Sequence, residues 1–259
     1  MAPDRLLDLV GQPGGPLADA ALWHLTVVES GLVTPTMSRL VFTAPGLAGL
    51  QYRAGQDLML RIPLSEDKVV NRRYTIRSFD STSSSVTMDV SLHGTGPGTD
   101  WIATAGPGDA IDAIGPRGKI TVDDEADWHL FVVDETGLPG ALAMMESLPS
   151  GAVAVALVEI DTPADEQVPD AAAAAAVDLR WLHRQGQHEP GDPELLVEAA
   201  AAVVWPTGGG HAYVAAEARV VRAVAQTLES RGVGSEQISP KAYWRRGLPN
   251  AEHGEPTRD

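Results

Sequence analysis

Near Asp124 the texture of the chain changes, and that change limits the fold more than any other feature. Before it come short runs rich in β-branched residues: ALWHLTVVESG, MSRLVFTAPG, GQDLMLRIPL, RRYTIRSFD and SVTMDVSLHG, bounded by Gly, Pro, Ser or Asp. In SVTMDVSL, Val86, Met88, Val90 and Leu92 share one face, and Thr87, Asp89 and Ser91 the other. Regularly spaced strands with turn punctuation predict an antiparallel barrel or sandwich. GTGPGTDWIATAGPGD is expected to give a loop, a short helix beginning at Asp100 or Trp101, and a turn; AIDAIGPRGKITV is expected to give a further strand pair. After Asp124, strand and helix alternate. DWHLFVVDETGLPGALAMMESLPSG is a buried strand, loop and helix, AVAVALVEID an apolar strand of the parallel type, and AAAAAAVDLRWLHRQG a strand with its exit loop. PELLVEAAAAVVWP is helical, HAYVAAEA a strand, and RVVRAVAQTLESRG a helix ending on Gly232. The alternation predicts a doubly wound α/β domain. The expected division is a loose segment 1–21, a barrel 22–123, an α/β domain 124–247 and a loose tail 248–259.

The 259 residues include no cysteine, which excludes disulfides, thiolate nucleophiles, iron–sulfur clusters and zinc–thiolate sites. No apolar run reaches the roughly 18 residues of a membrane span, and the N-terminus does not read as a signal peptide; a cytoplasmic monomer is expected. A formal net charge of −16 argues against a nucleic-acid partner. Yet the 19 Lys and Arg are clustered: five fall between Arg61 and Arg77, and three between Lys241 and Arg246.

In VVNRRYTIRSFD, an extended backbone puts Arg72 and Tyr74 on one face and Thr75 and Arg77 on the other. An aromatic ring there can lie against an isoalloxazine, and an arginine fork can neutralise a pyrophosphate. The alternative is a barrel strand with solvated arginines. In SLHGTGPGTDWIA, Gly94, Gly96 and Gly98 let backbone N–H groups turn toward one point at a helix start, a ready anion site. Alone it reads as a turn; together the two motifs favour a flavin dinucleotide, whose diphosphate is the expected anion of the arginines.

The motifs RRYTIR, LHGTGPGTDWIA, VVDETGLPGALAMMESLP, RWLHR, YVAAEARVVRAV and KAYWRRG resemble the siderophore-interacting proteins, over residues 22–247. The resemblance implies an FAD-binding barrel followed by a nicotinamide-binding-type α/β domain. It implies that Arg72, Tyr74 and Thr75 hold the flavin end and that Val90, Leu92 and His93 line the ring or the adenine. Gly96, Pro97, Gly98 and Thr99 would cradle the pyrophosphate. Glu135, Thr136 and Glu217 would meet the nicotinamide dinucleotide, and Trp244 would lie near a cofactor. Gly137 and Gly140 stand where the family has alanines, and Ala216 where it has glycine.

The implied activity is ferric-siderophore reduction, with electrons from NADPH, NADH or ferredoxin passing through FAD. Fe(III) binds hard oxygen donors, and the same donors hold Fe(II) far more weakly, so reduction releases iron. No catalytic acid or base is required, and no resident metal site is expected. Ferric siderophores are often anionic, which nominates Lys68, Arg117, Lys241 and Arg245 for substrate binding. Two alternatives stand: a general NAD(P)H:flavin reductase with another acceptor, and a binding protein without turnover. His183 and His188 lack partners of metal-ligand spacing and read as loop residues. Arg184 reads as a solvated loop arginine or a contact to a ribose 2′-phosphate, and Arg219 and Arg222 as an exposed helix face.

Overall fold

A computed structural model describes residues 20–65, 68–92, 94–169 and 176–247, together with residues 7, 10–12, 15 and 17. The chain separates into two compact units, Met1–Thr121 and Val122–Asp259. His93 lies outside the described residues, as do most of the expected end segments and the alanine run at 171–175.

The first unit holds β1 (Ala21–Thr34), β2 (Met37–Thr43), β3 (Asp57–Ser65), β4 (Lys68–Thr75), β5 (Ser78–Asp80), β6 (Ser85–Ser91), helix α1 (Pro97–Thr104) and β7 (Ala110–Arg117). All pairings are antiparallel, in the order β4-β3-β7-β1-β2-β6-β5. The run expected as one strand over 72–80 breaks at Ile76 and Arg77. Ile76 N donates to Gln56 O, and Arg77 N to Thr87 O, so the chain passes there from one edge of the sheet to the other. Flat, those edges would stand about 29 Å apart, at ~4.8 Å per strand. Three Cα steps reach about 11 Å, so the sheet must roll into a barrel. Its interior is filled by Leu25, Leu40, Phe42, Leu58, Leu60 and Met88, all at 0 % exposure. The strand pair expected over 110–122 is the single strand β7; the chain turns out of the sheet at Gly118, whose φ is +102°.

The second unit comprises β8 (Trp128–Asp134), α2 (Leu138–Glu146), β9 (Val153–Ile160), β10 (Ala176–His183), α3 (Glu194–Ala202), β11 (Gly210–Glu217), α4 (Ala218–Ser230) and β12 (Ile238–Trp244). The sheet is parallel throughout, ordered β10-β9-β8-β11-β12. Every residue of β8 is buried, as a central strand covered on both faces requires. Trp128, Leu130 and Val132 pack with Leu196 of α3 and with Val220, Val224 and Leu228 of α4. The strand order reverses between β8 and β11, the position where open α/β sheets bind ligands at their carboxyl ends. The edge strand β12 is unforeseen, because Pro240 and Lys241 interrupt its apolar pattern. Among the described residues no helix is long and apolar enough to cross a membrane.

Candidate functional site

In the first unit, α1 begins at Pro97 after the N-cap Gly96, earlier than the expected Asp100 or Trp101. Proline suits a first helical turn because its missing N–H would have no partner there. Gly98 is buried against β4: an added Cβ would fall onto the Tyr74 hydroxyl, 3.1 Å from Arg72 Cγ. The two motifs read separately from the sequence therefore touch, and the backbone of the glycine turn lies directly on the arginine–tyrosine pair. Burial pushes the Tyr74 phenol up to about 12, against the pull of Arg72, so it remains a neutral donor. Val90 is buried in the barrel core; Leu92 is half-buried and its N–H donates to Thr36 O. Thr75 is buried and belongs to the opposite face of β4 from Tyr74. Arg77, expected beside Thr75, lies past the end of the strand.

The expectation that a diphosphate accounts for this arginine cluster is corrected for two of its three members. Arg73 grips Asp57 with Nε–Oδ1 at 3.0 Å and Nη2–Oδ2 at 2.7 Å. Arg77 Nε lies 3.8 Å from Asp89 Oδ2, and Arg39 forks onto the same carboxylate with two bonds of 2.7 Å. Both aspartates are buried, and buried carboxylates demand such partners. Arg72 alone of the three abuts the glycine turn. Nor do Lys68 and Arg117 share a pocket: Lys68 pairs with Ser65 at one end of β3 and Arg117 with Asp57 at the other. The eight-residue separation is about 26 Å.

In the second unit the carboxyl ends of the strands gather acids. Asp134, Glu135, Glu159 and Glu217 are all buried, as is Arg184. Arg184 is neither solvated nor turned outward to a phosphate. Its Nη1 and Nη2 hold Glu135 at 2.8 and 3.0 Å, and Nη1 reaches Glu159 at 3.1 Å. Asp134 is the hub of the other contacts: it accepts from Thr136 N at 2.9 Å, Glu217 N at 3.1 Å and Trp244 Nε1 at 2.8 Å. Glu217 caps α4 through Arg219 N and Val220 N, and accepts from Arg246 N at 3.0 Å. Thus Glu135, Thr136, Glu217 and Trp244 do come together, with their polar atoms turned largely onto one another. Burial, reinforced by the Glu135 charge, pushes Asp134 up to about 6; burial pushes Glu159 up to about 7, against the pull of Arg184. A Cβ at Gly137 would fall onto the Ala215 carbonyl, so glycine lets the turn after β8 sit against β11. Asp134 and Glu159 were not singled out from the sequence; their one signal is an acid closing an apolar strand.

Beside this network opens a cavity of about 560 Å³ lined by Glu217, Ala218, Arg219, Arg222, Arg245, Arg246 and Gly247. Lys241, expected beside Arg245 in a substrate pocket, is instead buried with Nζ 5.1 Å from the Tyr243 ring centroid. His183 pairs with Glu166 at 2.9 Å, while His188, read as lacking partners, meets Asp192 and Glu194 with ligand atoms within 4.8 Å of one another.

A barrel with a glycine turn against an arginine–tyrosine pair, followed by a parallel sheet with a reversal point, defines a two-domain β-barrel plus α/β architecture. The chain belongs to the siderophore-interacting protein family. The model of the siderophore-interacting FAD-binding domain matches residues 59–120, and that of the siderophore-interacting protein matches residues 126–247. The chain is 30% identical over 209 residues to ferric vibriobactin reductase ViuB of Vibrio cholerae, covering 79% of this chain and 73% of that protein. It is 33% identical over 189 residues to an uncharacterized protein of Mycobacterium tuberculosis, 68% of this chain; the match spans 65% of the length of that relative. A siderophore utilization protein from T. fusca superposes with a TM-score of 0.80 at 32% identity, covering 90% of this chain and 96% of that one.

Proposed function

We propose that the protein is an FAD-dependent ferric-siderophore reductase that draws electrons from a nicotinamide dinucleotide. The observation that carries this reading is the meeting of Gly98 with Tyr74 and Arg72, a cradle that any larger side chain at 98 would fill. Arg72 would neutralise the diphosphate of FAD, the amides of Gly96, Gly98 and Thr99 would donate to it, and the Tyr74 phenol would donate to the flavin end. Leu92, half-buried against the barrel core, borders the apolar part of the site, with Thr75 on the opposite face of β4. FAD, when bound there, accepts a hydride's two electrons and passes them on singly, which matches a one-electron acceptor such as Fe(III). The nicotinamide dinucleotide approaches the carboxyl ends of β8 and β11, where Glu135, Thr136, Glu217 and Trp244 shape the crevice. One hydride donor then reduces two ferric chelates and releases one proton.

The purified protein is expected to be yellow, to bleach anaerobically on adding NADPH or NADH, and to recover its colour on adding a ferric siderophore. Gly98→Val, and Arg72→Ala with Tyr74→Ala, are expected to lower flavin content at least about tenfold with far-UV circular dichroism unchanged, each removing several contacts of about 1 kcal/mol. A double variant that keeps its full flavin complement sinks the assignment.

A further inference from the structure

Near the amino ends of β11 and β12, one face of the parallel sheet carries a polar cluster that the reductase reading leaves unused. Parallel pairing sets Tyr213 beside Ser239, and alternation puts His211, two residues before Tyr213, on the same face. There His211 Nε2 lies 2.9 Å from Ser239 Oγ, and His211 Nδ1 lies 3.2 Å from Asp123 Oδ2. Asp123 is itself held in place. Its main-chain N–H donates to the Tyr213 hydroxyl at 2.8 Å, and its Oδ1 accepts from Glu125 N at 3.1 Å, which leaves Oδ2 facing the imidazole. An ionised carboxylate only accepts, so in the neutral ring Nδ1 carries the hydrogen and Nε2 offers its lone pair to the serine hydroxyl.

These are the parts of an activated nucleophile: a hydroxyl within bonding reach of a base, and a base oriented by a third group. The sheet does not need the contact, because β11 and β12 are already paired from Ala212–Ile238 to Glu217–Trp244. Asp123, His211 and Ser239 are all partly exposed, so the hydroxyl is not sealed in the core. Asp124 and Glu125 follow Asp123, Glu236 lies three residues before Ser239, and all three acids are exposed. That negative border repels anionic substrates and admits neutral ones. Pro240 follows Ser239, so the next main-chain N–H, a common oxyanion donor, is missing. Loss of one such donor costs about 10²–10³ in rate, and turnover is expected to be slow.

We infer that Ser239, His211 and Asp123 form a second, hydrolytic site that transfers acyl groups from small neutral carboxylic esters to water. Ser239 Oγ attacks the ester carbonyl carbon as His211 Nε2 takes the hydroxyl proton. The carbon–oxygen bond to the leaving group then breaks, and the departing alkoxide takes that proton and leaves as an alcohol. Water attacks the acyl-serine, again giving its proton to Nε2; the acyl–Oγ bond breaks, the acid departs and the proton returns to Ser239. Asp123 positions the imidazole and offsets the charge it gains. The site uses neither flavin nor nicotinamide, so it stands apart from the reductase reading.

The full chain mixed with p-nitrophenyl acetate tests it. Release of p-nitrophenolate is expected, with the acetyl group found on Ser239 by peptide mass spectrometry after an acid quench. Diisopropyl fluorophosphate, a neutral organophosphorus reagent, is expected to modify the same hydroxyl and to stop the release. Ser239→Ala and His211→Gln should each lower the release at least about tenfold with far-UV circular dichroism and flavin content unchanged. Asp123→Asn should slow it by a similar factor, and Asp123→Glu should recover part of the loss. The anionic mono-p-nitrophenyl succinate should react more slowly than the acetate at low salt, with the gap closing as salt is added. Label found on residues other than Ser239 overturns the inference. So does release that survives Ser239→Ala, or Ser239 labelling that is just as fast in His211→Gln, which would leave an ordinary exposed hydroxyl. Equal reaction of the two esters overturns the assignment to neutral substrates. Should a variant fail to fold, the labelled position on the natural chain decides the matter, and no arm depends on ferric reduction.

Discussion

The two units handle buried charge in opposite ways. In the barrel unit, two buried aspartates on the strand faces turned away from the core are held by arginines: Arg73 on Asp57, Arg39 and Arg77 on Asp89. In the α/β unit four acids converge at the strand ends, and the buried Arg184 serves two of them, Glu135 and Glu159. The other arginines of that region remain outside, around the cavity. The barrel neutralises its acids pair by pair; the α/β unit leaves part of its acidity to protonation, with Asp134 and Glu159 pushed above the ordinary carboxylate range. The difference teaches that linear clustering of arginines is a poor guide to where free positive charge lies. The dense run at 72–77 is mostly spent on internal partners, and the accessible patch is assembled from residues 219 to 246.

That contrast breaks most readily at Arg184. Replacing it by leucine strands Glu135 and Glu159 and is expected to cost about 3–5 kcal/mol in urea unfolding. Arg73→Leu, at a partly exposed pair that water reaches, is expected to cost about 1–3 kcal/mol. Equal costs would erase the distinction between the units.

A smaller effect sharpens it further. Asp134 and Glu159 hold their protons in the folded chain up to about 6 and about 7, above their values in the unfolded chain. The folded state thus binds more protons between about pH 4 and about pH 7, and their contribution to stability, full below that window, is lost as pH rises through it. Each group's share of the slope is at most about 1.4 kcal/mol per pH unit. Glu159→Gln is expected to flatten the slope measured by unfolding at about pH 5, 6 and 7; an unchanged slope would show that this carboxylate is ionised throughout. Smallest of all, Arg222→Ala on the exposed face of α4 is expected to move stability by no more than about 0.5 kcal/mol, which separates the cavity arginines from Arg184.

The order of strands and helices was legible because period and composition are local. SVTMDVSL alternates, FVV and AVALV do not, and the rolled and parallel sheets follow. Tertiary partners were less legible. The break at Ile76 is dictated by Gln56 and Thr87, which local propensity cannot sense. The burial of Arg184 depends on Glu135 and Glu159, 49 and 25 residues away. The arginine–tyrosine strand and the glycine turn could be read because each is compact, and their contact at Gly98 joins segments close in sequence. Of the basic residues nominated from the sequence only Arg245 lines the cavity; its neighbour Arg246 joins it there, and Arg219 and Arg222 are brought to them by the parallel pairing of β11 with β12.

One bond described above bears on how the protein is made. The indole of Trp244 reaches back to a carboxylate translated 110 residues earlier. Strand β12 is thus a latch, thrown only after the other four strands of its sheet have been made. Until it closes, a nascent α/β unit emerging from the ribosome carries an open sheet edge beside an acid that is short of one donor.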